Sequence, residues 1–251
     1  MTLLAVERIK LFSTRSPWWC MLLALGLTVG LSGLIAGESS DQFPLTIGGT
    51  QAGYQFGLMV IMVMAALAIT TEYRFGTIRT TFQALPPRWA VLAAKTAVVA
   101  VVSGLVGEAT AFASWGMAKA VRPSADLALR HANDWRTVAG VGLVYATGAV
   151  LAVGVGTLVR QTAGAVSILL VWALLVENLV GLIPKIGTDV RKWMPFNAAN
   201  HFLTSGQASL GTGGAQQTPM PYGPWGGLGY FAGVAVAVLI VAVVTAERRD
   251  A

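Results

Sequence analysis

Long apolar stretches separated by short polar segments recur along the whole chain. A helix that crosses a membrane needs about 20 mostly apolar residues. Six stretches approach or exceed this length, and charged residues interrupt only the third and the fifth. Because an open chain in hydrocarbon must satisfy its own backbone hydrogen bonds, each stretch is predicted to be a helix. The predicted spans are residues 18–36, 54–71, 90–118, 138–159, 163–183 and 227–246.

Composition supports a membrane protein rather than a soluble one. The chain has 251 residues, of which 55% are hydrophobic and 11% charged, whereas soluble domains carry about 25% charged residues. We therefore expect an all-α integral membrane protein, with residues 1–251 forming a single transmembrane domain. Cys20 is the only cysteine, and with two histidines it supplies neither a disulfide nor a zinc cluster, so no metal is predicted.

The net charge of +6 is distributed at the ends of the apolar stretches. This pattern is typical of membrane anchoring and not of nucleic-acid binding, for which basic residues would form a stripe with interleaved aromatics. Six spans place both termini on one side. Of the 17 lysines and arginines, ten fall on that side and seven on the other, which predicts cytoplasmic termini. The last outer loop, 184–226, is predicted to form short surface helices between Lys185 and Phe202.

Two segments on the predicted cytoplasmic side are helical in pattern without being long enough to span. In the first, residues 1–17, Ala5, Ile9 and Phe12 share one helical face, and Pro17 is expected to turn the chain into the first span. This segment is either an amphipathic helix in the inner interface or a basic flank. The second, residues 72–89, contains a predicted short helix, with Gly76 as a weak point, that Pro86 and Pro87 stop. It is either a handle for a soluble partner or an ordinary loop.

Three motifs resemble those of type-2 ABC exporter permeases, particularly those of high-GC Gram-positive bacteria. They are ERIKLFSTRSPWW near the N-terminus, TTEYRFGTIRTTFQALPPRWAVLAAK between the second and third spans, and the terminal TAERRDA. The six-span plan covers the whole chain, while likeness in sequence is clear over roughly the first hundred residues.

The resemblance implies a role for both cytoplasmic segments. Residues 1–17 would contain an elbow helix along the inner leaflet, and residues 72–89 a coupling helix, Glu72 to Thr81, that docks on an ATPase. The elbow residues are Glu7, Lys10 and Arg15, and the coupling residues are Glu72, Arg74, Gly76, Thr77 and Arg79. The implied partners are two cytoplasmic ABC ATPase subunits, a second permease that is identical or homologous, and membrane lipid.

The resemblance also implies a function. The complex would lie in the bacterial cytoplasmic membrane and move amphipathic or hydrophobic compounds, such as a drug, a peptide antibiotic or a lipid, out of the cell. The chain lacks the GxxxxGK[ST] loop that holds nucleotide phosphates. We therefore expect no enzymatic activity and no cofactor in this chain, with ATP and Mg bound by the separate ATPase.

Ionisable residues inside the spans are the remaining candidates. Glu108, Glu177 and Asn178 are possible pathway residues, because charges in a membrane are costly and often functional. Glu108 alternatively makes an interhelical hydrogen bond or lies near the outer interface. Lys95 lies near the predicted inner end of its span, where its charged head can extend to the interface, and we interpret it as a structural residue.

Three other functions compete with ATP-driven export. In a proton-coupled secondary transporter, Glu108 would be the proton site. A non-transporting sensor subunit would use the same fold. An intramembrane serine protease would need Ser32, in a Gly-x-Ser-Gly stretch, and His201 to meet, which their predicted positions in a span and a loop disfavour.

Overall fold

A computed structural model describes residues 3–40, 43–84, 88–184, 186–204 and 220–249. Within these ranges all regular structure is helical. The helices are α1 (Leu3–Ser13), α2 (Arg15–Glu38), α3 (Ile47–Thr50), α4 (Tyr54–Phe75), α5 (Thr77–Ala84), α6 (Arg88–Val121), α7 (Ala132–Val159), α8 (Thr162–Val171), a π-helix (Trp172–Val176), α9 (Glu177–Val180), α10 (Gly187–Lys192), α11 (Pro195–Thr204) and α12 (Pro224–Arg249). The predicted stop at Pro86 and Pro87 lies outside the described residues.

Six helical segments are long and apolar enough to cross a membrane, which confirms the predicted number. They are Arg15–Glu38, Ile47–Phe75, Arg88–Val121, Ala132–Val159, Thr162–Val180 and Pro224–Arg248. Several extend beyond the apolar stretches because polar residues continue the helix. At the start of α7, for example, the Asp134 carboxylate accepts hydrogen bonds from the backbone N–H groups of Arg130 and His131, at 3.1 and 2.8 Å. This cap starts the helix six residues before the predicted span.

The turn from α1 into α2 lies at Thr14 and not at Pro17, as the sequence had suggested. Thr14 has an extended backbone (φ −103°, ψ 152°) that separates the two helices. Pro17 is buried in the first turn of α2. Proline is tolerated there because the first N–H groups of a helix have no intrahelical acceptor.

Helix α7 is the centre of the bundle, and it contacts α4, α6, α8, α11 and α12. Among the candidate spans it has the largest buried share, 67%. Apart from Tyr145 and Leu151, its buried positions carry small or β-branched side chains. Small residues allow neighbouring helices to approach closely. A hydroxyl within this core is satisfied internally: Tyr145 donates a hydrogen bond to the carbonyl of Tyr54, at 2.9 Å.

Two glycines set the contact between α6 and α7. A Cβ atom at Gly107 would lie 2.9 Å from the Cα of Gly142 and from the Cβ of Tyr145. Such distances are shorter than real Cβ contacts. The close crossing of α6 and α7 therefore requires a glycine at position 107.

Short helices follow the fifth span, in agreement with the prediction for the segment from Lys185 to Phe202. They are α10 and α11, although Lys185 itself and residues 205–219 lie outside the described residues. Helix α11 packs on α7 and α12. The Tyr54 hydroxyl on α4 donates to the Asn200 side chain on α11, at 3.0 Å, which ties this layer to the bundle.

Candidate functional site: a buried four-charge cluster

Four charged side chains from three helices meet at one end of the bundle. Glu7 and Lys10 lie one turn apart on α1, Glu72 is in the last turn of α4, and Lys95 is two turns into α6. We call these residues the four-charge cluster. The neighbouring helix α5 reaches it through Thr81, whose hydroxyl accepts a hydrogen bond from Lys10 at 3.4 Å.

Each lysine of the four-charge cluster bridges the two carboxylates. The Lys95 ammonium donates to Oε2 of Glu7 and, at 2.9 Å, to Oε1 of Glu72. The Lys10 ammonium lies 2.9 Å from Oε1 of Glu7 and 3.3 Å from Oε1 of Glu72. Two positive and two negative charges therefore balance within one set of contacts.

The centre of the cluster is removed from solvent. Glu7 is 3% exposed and Lys95 is 4% exposed. Burial alone lowers the pKa of Lys10, but its hydrogen bond to Glu7 and the nearby carboxylates outweigh this effect and raise the pKa above its usual value. Removing one member of such a buried set leaves an uncompensated charge, which costs far more than the intact set contributes.

A cavity of about 440 Å³ adjoins the cluster. It is lined by apolar side chains of α4 and α6 and by the hydroxyls of Ser13, Thr14, Ser16 and Thr71. Oε2 of Glu72 is buried and has no hydrogen-bond partner within the described ranges. Glu72 therefore binds both lysines through Oε1 alone.

The predicted coupling residues are divided between two helices, which corrects the single helix expected from Glu72 to Thr81. Glu72 and Arg74 belong to α4, whereas Thr77 and Arg79 belong to α5. Gly76 separates the helices, because its left-handed backbone (φ +72°) ends α4, a conformation that favours glycine. Arg74 and Thr77 are exposed, and the Arg74 guanidinium lies 5.6 Å from the Phe75 ring centroid. The Arg79 side chain lies outside the described set.

The predicted elbow residues do not all join the cluster. Glu7 and Lys10 do, but Arg15 is exposed at the start of α2. Helix α1 buries Glu7 and Leu11 against the bundle, while Leu4 and Ile9 are 51% and 53% exposed. Apolar side chains on the outer surface of α1 are thus not covered by the described part of the bundle.

Lys95 is the member of the cluster that sequence analysis assigned wrongly to the interface. Its head is buried between two carboxylates rather than extended to solvent. The signal available in the sequence was that Glu7, Glu72 and Lys95 all lie near the predicted cytoplasmic ends of apolar helices.

Glu108 lies far from the four-charge cluster, on the surface of α6 that faces α7. It is half-buried, and a Cβ atom at Gly142 would meet its side chain at less than 3 Å. The carboxyl group therefore rests directly against the backbone of α7. Within the described ranges Glu108 makes neither a hydrogen bond nor an ion pair, so the expected interhelical hydrogen bond is not observed.

Glu177 caps a helix, and Asn178 does not share its contacts. The Glu177 carboxylate is buried and accepts hydrogen bonds from the N–H groups of Phe196 and Asn197, at 2.9 and 2.8 Å. It follows directly after the π-helix, whose wider turn changes the helical register at this point. Asn178 is exposed and donates to the carbonyl of Leu174 in its own segment.

The Ser–His pair of a protease is not assembled. The Ser32 hydroxyl donates to the Ser114 carbonyl at 2.9 Å, and a ring nitrogen of His201 lies 3.2 Å from the Tyr222 carbonyl. Among the described residues, no three His, Cys, Asp or Glu side chains are grouped as metal ligands would be.

No protein-family model matches the chain, and no curated protein matches it.

Proposed function

We propose that this chain is the membrane-spanning permease subunit of an ATP-driven ABC exporter that moves amphipathic or hydrophobic compounds. In this proposal α1 is the elbow helix along the inner leaflet, and the segment around Gly76 with α5 is the coupling element. Two cytoplasmic ATPase subunits bind ATP and Mg, and a second permease, identical or homologous, completes the pathway. Both termini lie in the cytoplasm of a bacterial cell.

The four-charge cluster is the observation that supports the proposal most directly. It connects α1, the end of α4 and the start of α6 through ion pairs of 2.9–3.3 Å and the bond from Lys95 to Glu7. Because α5 follows α4 after one residue, a force applied to α5 reaches all three helices through this cluster. A permease without a nucleotide site of its own needs such a connection between a cytoplasmic motor and its spans.

Helix α5 has an anchored side and an open side. Ile78 is 4% exposed and packs into the core, whereas Thr77, Thr80 and Gln83 are exposed. Phe75, just before α5, is 72% exposed. Exposed aromatic residues are frequent anchors at protein interfaces, so this surface suits a docking partner.

The proposal is tested by isolating the tagged chain from its native membrane in mild detergent and measuring bound ATPase activity. We expect a stoichiometric ABC ATPase with the wild type and its loss with Phe75→Asp. Phe43→Asp is the matched control, because Phe43 is 76% exposed and lies in the segment that follows α2, away from α5. Both variants should retain the thermal stability of the wild type.

The result separates the competing functions. Absence of an ATPase with the wild type in several detergents would overturn the exporter proposal. An ATPase that is lost equally with Phe75→Asp and Phe43→Asp would reject α5 as the docking element. Efflux of a fluorescent amphiphile from cells, dependent on the ATPase, distinguishes an exporter from a non-transporting sensor.

A further inference from the structure

Glu108 lies near the middle of the longest candidate span. It follows Lys95 by 13 residues and precedes Lys119 by 11, or about 20 and 16 Å at roughly 1.5 Å per helical residue. Lys95 belongs to the four-charge cluster, and Lys119 is exposed near the other end of α6. An ionisable group at this depth is expensive and calls for a partner.

The carboxyl group opens into a shallow groove between α6 and α7. The groove has a volume of about 300 Å³, and its other lining residues are all apolar or glycine: Ala100, Val101, Gly104, Leu105, Gly142, Leu143 and Ala146. Val101 and Leu105 are more than 60% exposed, so the groove faces the surroundings of the bundle rather than its interior. Among the residues that the structure describes, Glu108 is the only ionisable one that lines the groove.

We infer that this groove binds a lipophilic organic monocation from the bilayer, with its charge against the Glu108 carboxylate and its apolar groups on the groove walls. When it is ionised, the single carboxylate supplies one negative charge, which a bound monocation neutralises. A metal ion is a poor match, because Ca²⁺ or Mg²⁺ needs about six oxygen ligands. A neutral lipid chain would fill the groove without compensating the charge.

A second copy of the chain fits this surface less well. A two-fold symmetric contact brings the same patch of both copies together, so a contact centred on the groove would place two Glu108 carboxylates near each other. A bound organic cation would neutralise the Glu108 carboxylate, whereas the two-fold contact would bring two such negative charges together. The binding site stands apart from the ATP-driven step, but identifying the bound cation as the transported compound rests on the proposed function.

The test is equilibrium binding of tetraphenylphosphonium to the purified full-length chain in lipid nanodiscs, with empty nanodiscs subtracted. We expect saturable binding by the wild type and at least a tenfold higher Kd for Glu108→Gln. Tetraphenylborate, an anion of nearly the same shape, should show no saturable binding. Leu105→Trp should weaken binding by narrowing the groove, whereas Leu34→Trp, at an equally exposed position on α2, should not.

Two results would overturn the inference. One is equal affinity of the wild type and Glu108→Gln for tetraphenylphosphonium, or no saturable binding by the wild type. The other is near-complete interchain disulfide formation by Leu105→Cys in a Cys20→Ser background, which would show that a second copy covers the groove. The assay contains no ATPase, so its failure leaves the exporter proposal standing, and loss of the ATPase partner leaves cation binding unaffected.

Discussion

Lys95 shows how a single residue can be misjudged from its position in the sequence. A lysine near the end of an apolar helix ordinarily extends its head to the interface. Here two carboxylates on other helices supply a closer partner than solvent does. The sequence separates these residues by 88 and 23 positions, and hydropathy along the chain carries no information about which distant helices pack together.

Replacing Lys95 should therefore be severe. Lys95→Met leaves the buried Glu7 carboxylate short of positive charge, and breaking a buried pair from one side costs roughly 3–5 kcal/mol. We expect the Tm in detergent, followed by tryptophan fluorescence, to fall by roughly 10 °C. Lys119→Met, at an exposed position on the same helix, should change the Tm little.

A charge-balanced variant tests whether the cause is electrostatic. Adding Glu7→Gln to Lys95→Met leaves Lys10 with Glu72 at 3.3 Å and removes the unpaired carboxylate. The double variant should recover part of the lost Tm. A double variant less stable than Lys95→Met would indicate that packing, and not charge balance, determines the effect.

Whole helices were far more predictable than their internal irregularities. Hydrocarbon requires long apolar helices, so all six spans could be located from hydropathy. The π-helix before Glu177 could not be located from the sequence, because it depends on backbone conformation. The sequence marked Gly76 as a weak point, and the structure turns it into the boundary between α4 and α5.

The contact between α6 and α7 gives a prediction at the scale of two helices. Gly107→Ala should destabilise the chain by roughly 1–3 kcal/mol, as expected for overpacking, because the new Cβ would lie 2.9 Å from Gly142 and Tyr145. Gly104→Ala is the control one turn away. Its Cβ would lie no closer than 3.4 Å to any neighbour, and alanine favours a helix.

Thermal unfolding of these two variants measures the difference. We expect a lower Tm for Gly107→Ala and an unchanged or higher Tm for Gly104→Ala. Equal Tm values for the two variants would mean that α6 and α7 can move apart at this crossing without a loss of stability.

The cap on α11 gives a second prediction for an element. Glu177→Ala removes the acceptor for two backbone N–H groups, and leaving a buried donor unpaired costs about 1–3 kcal/mol. Hydrogen exchange of the amides of Phe196 and Asn197 should become faster. Exchange should also become faster in the remainder of α11. Asn178→Ala, which removes only an exposed bond to the same helical segment, should leave exchange in α11 unchanged. Unchanged exchange after Glu177→Ala would argue against the cap.

At the scale of the whole molecule, the four-charge cluster and the groove at Glu108 lie at different depths. The cluster is near one end of the bundle and connects helices to one another. The groove is near the middle and faces outward. In an exporter the four-charge cluster would transmit the movement of the ATPase to the spans, and the groove would bind a compound from the bilayer. Glu72 and Glu108 each stand out in the sequence, but which helices surround each of them depends on packing that no motif encodes.

The orientation of the molecule decides whether α5 can meet a cytoplasmic motor. Thr77 precedes the start of α6 and Asn133 follows its end, so the two exposed residues lie at opposite ends of a helix of 34 residues, about 51 Å long. Single cysteines at these positions in a Cys20→Ser background report the side directly. Because basic residues favour cytoplasmic termini by ten to seven, a membrane-impermeant maleimide on intact cells should label Asn133→Cys and spare Thr77→Cys. Permeabilised cells should label both, and the reverse pattern on intact cells would place α5 outside the cell, where no cytoplasmic ATPase could drive it.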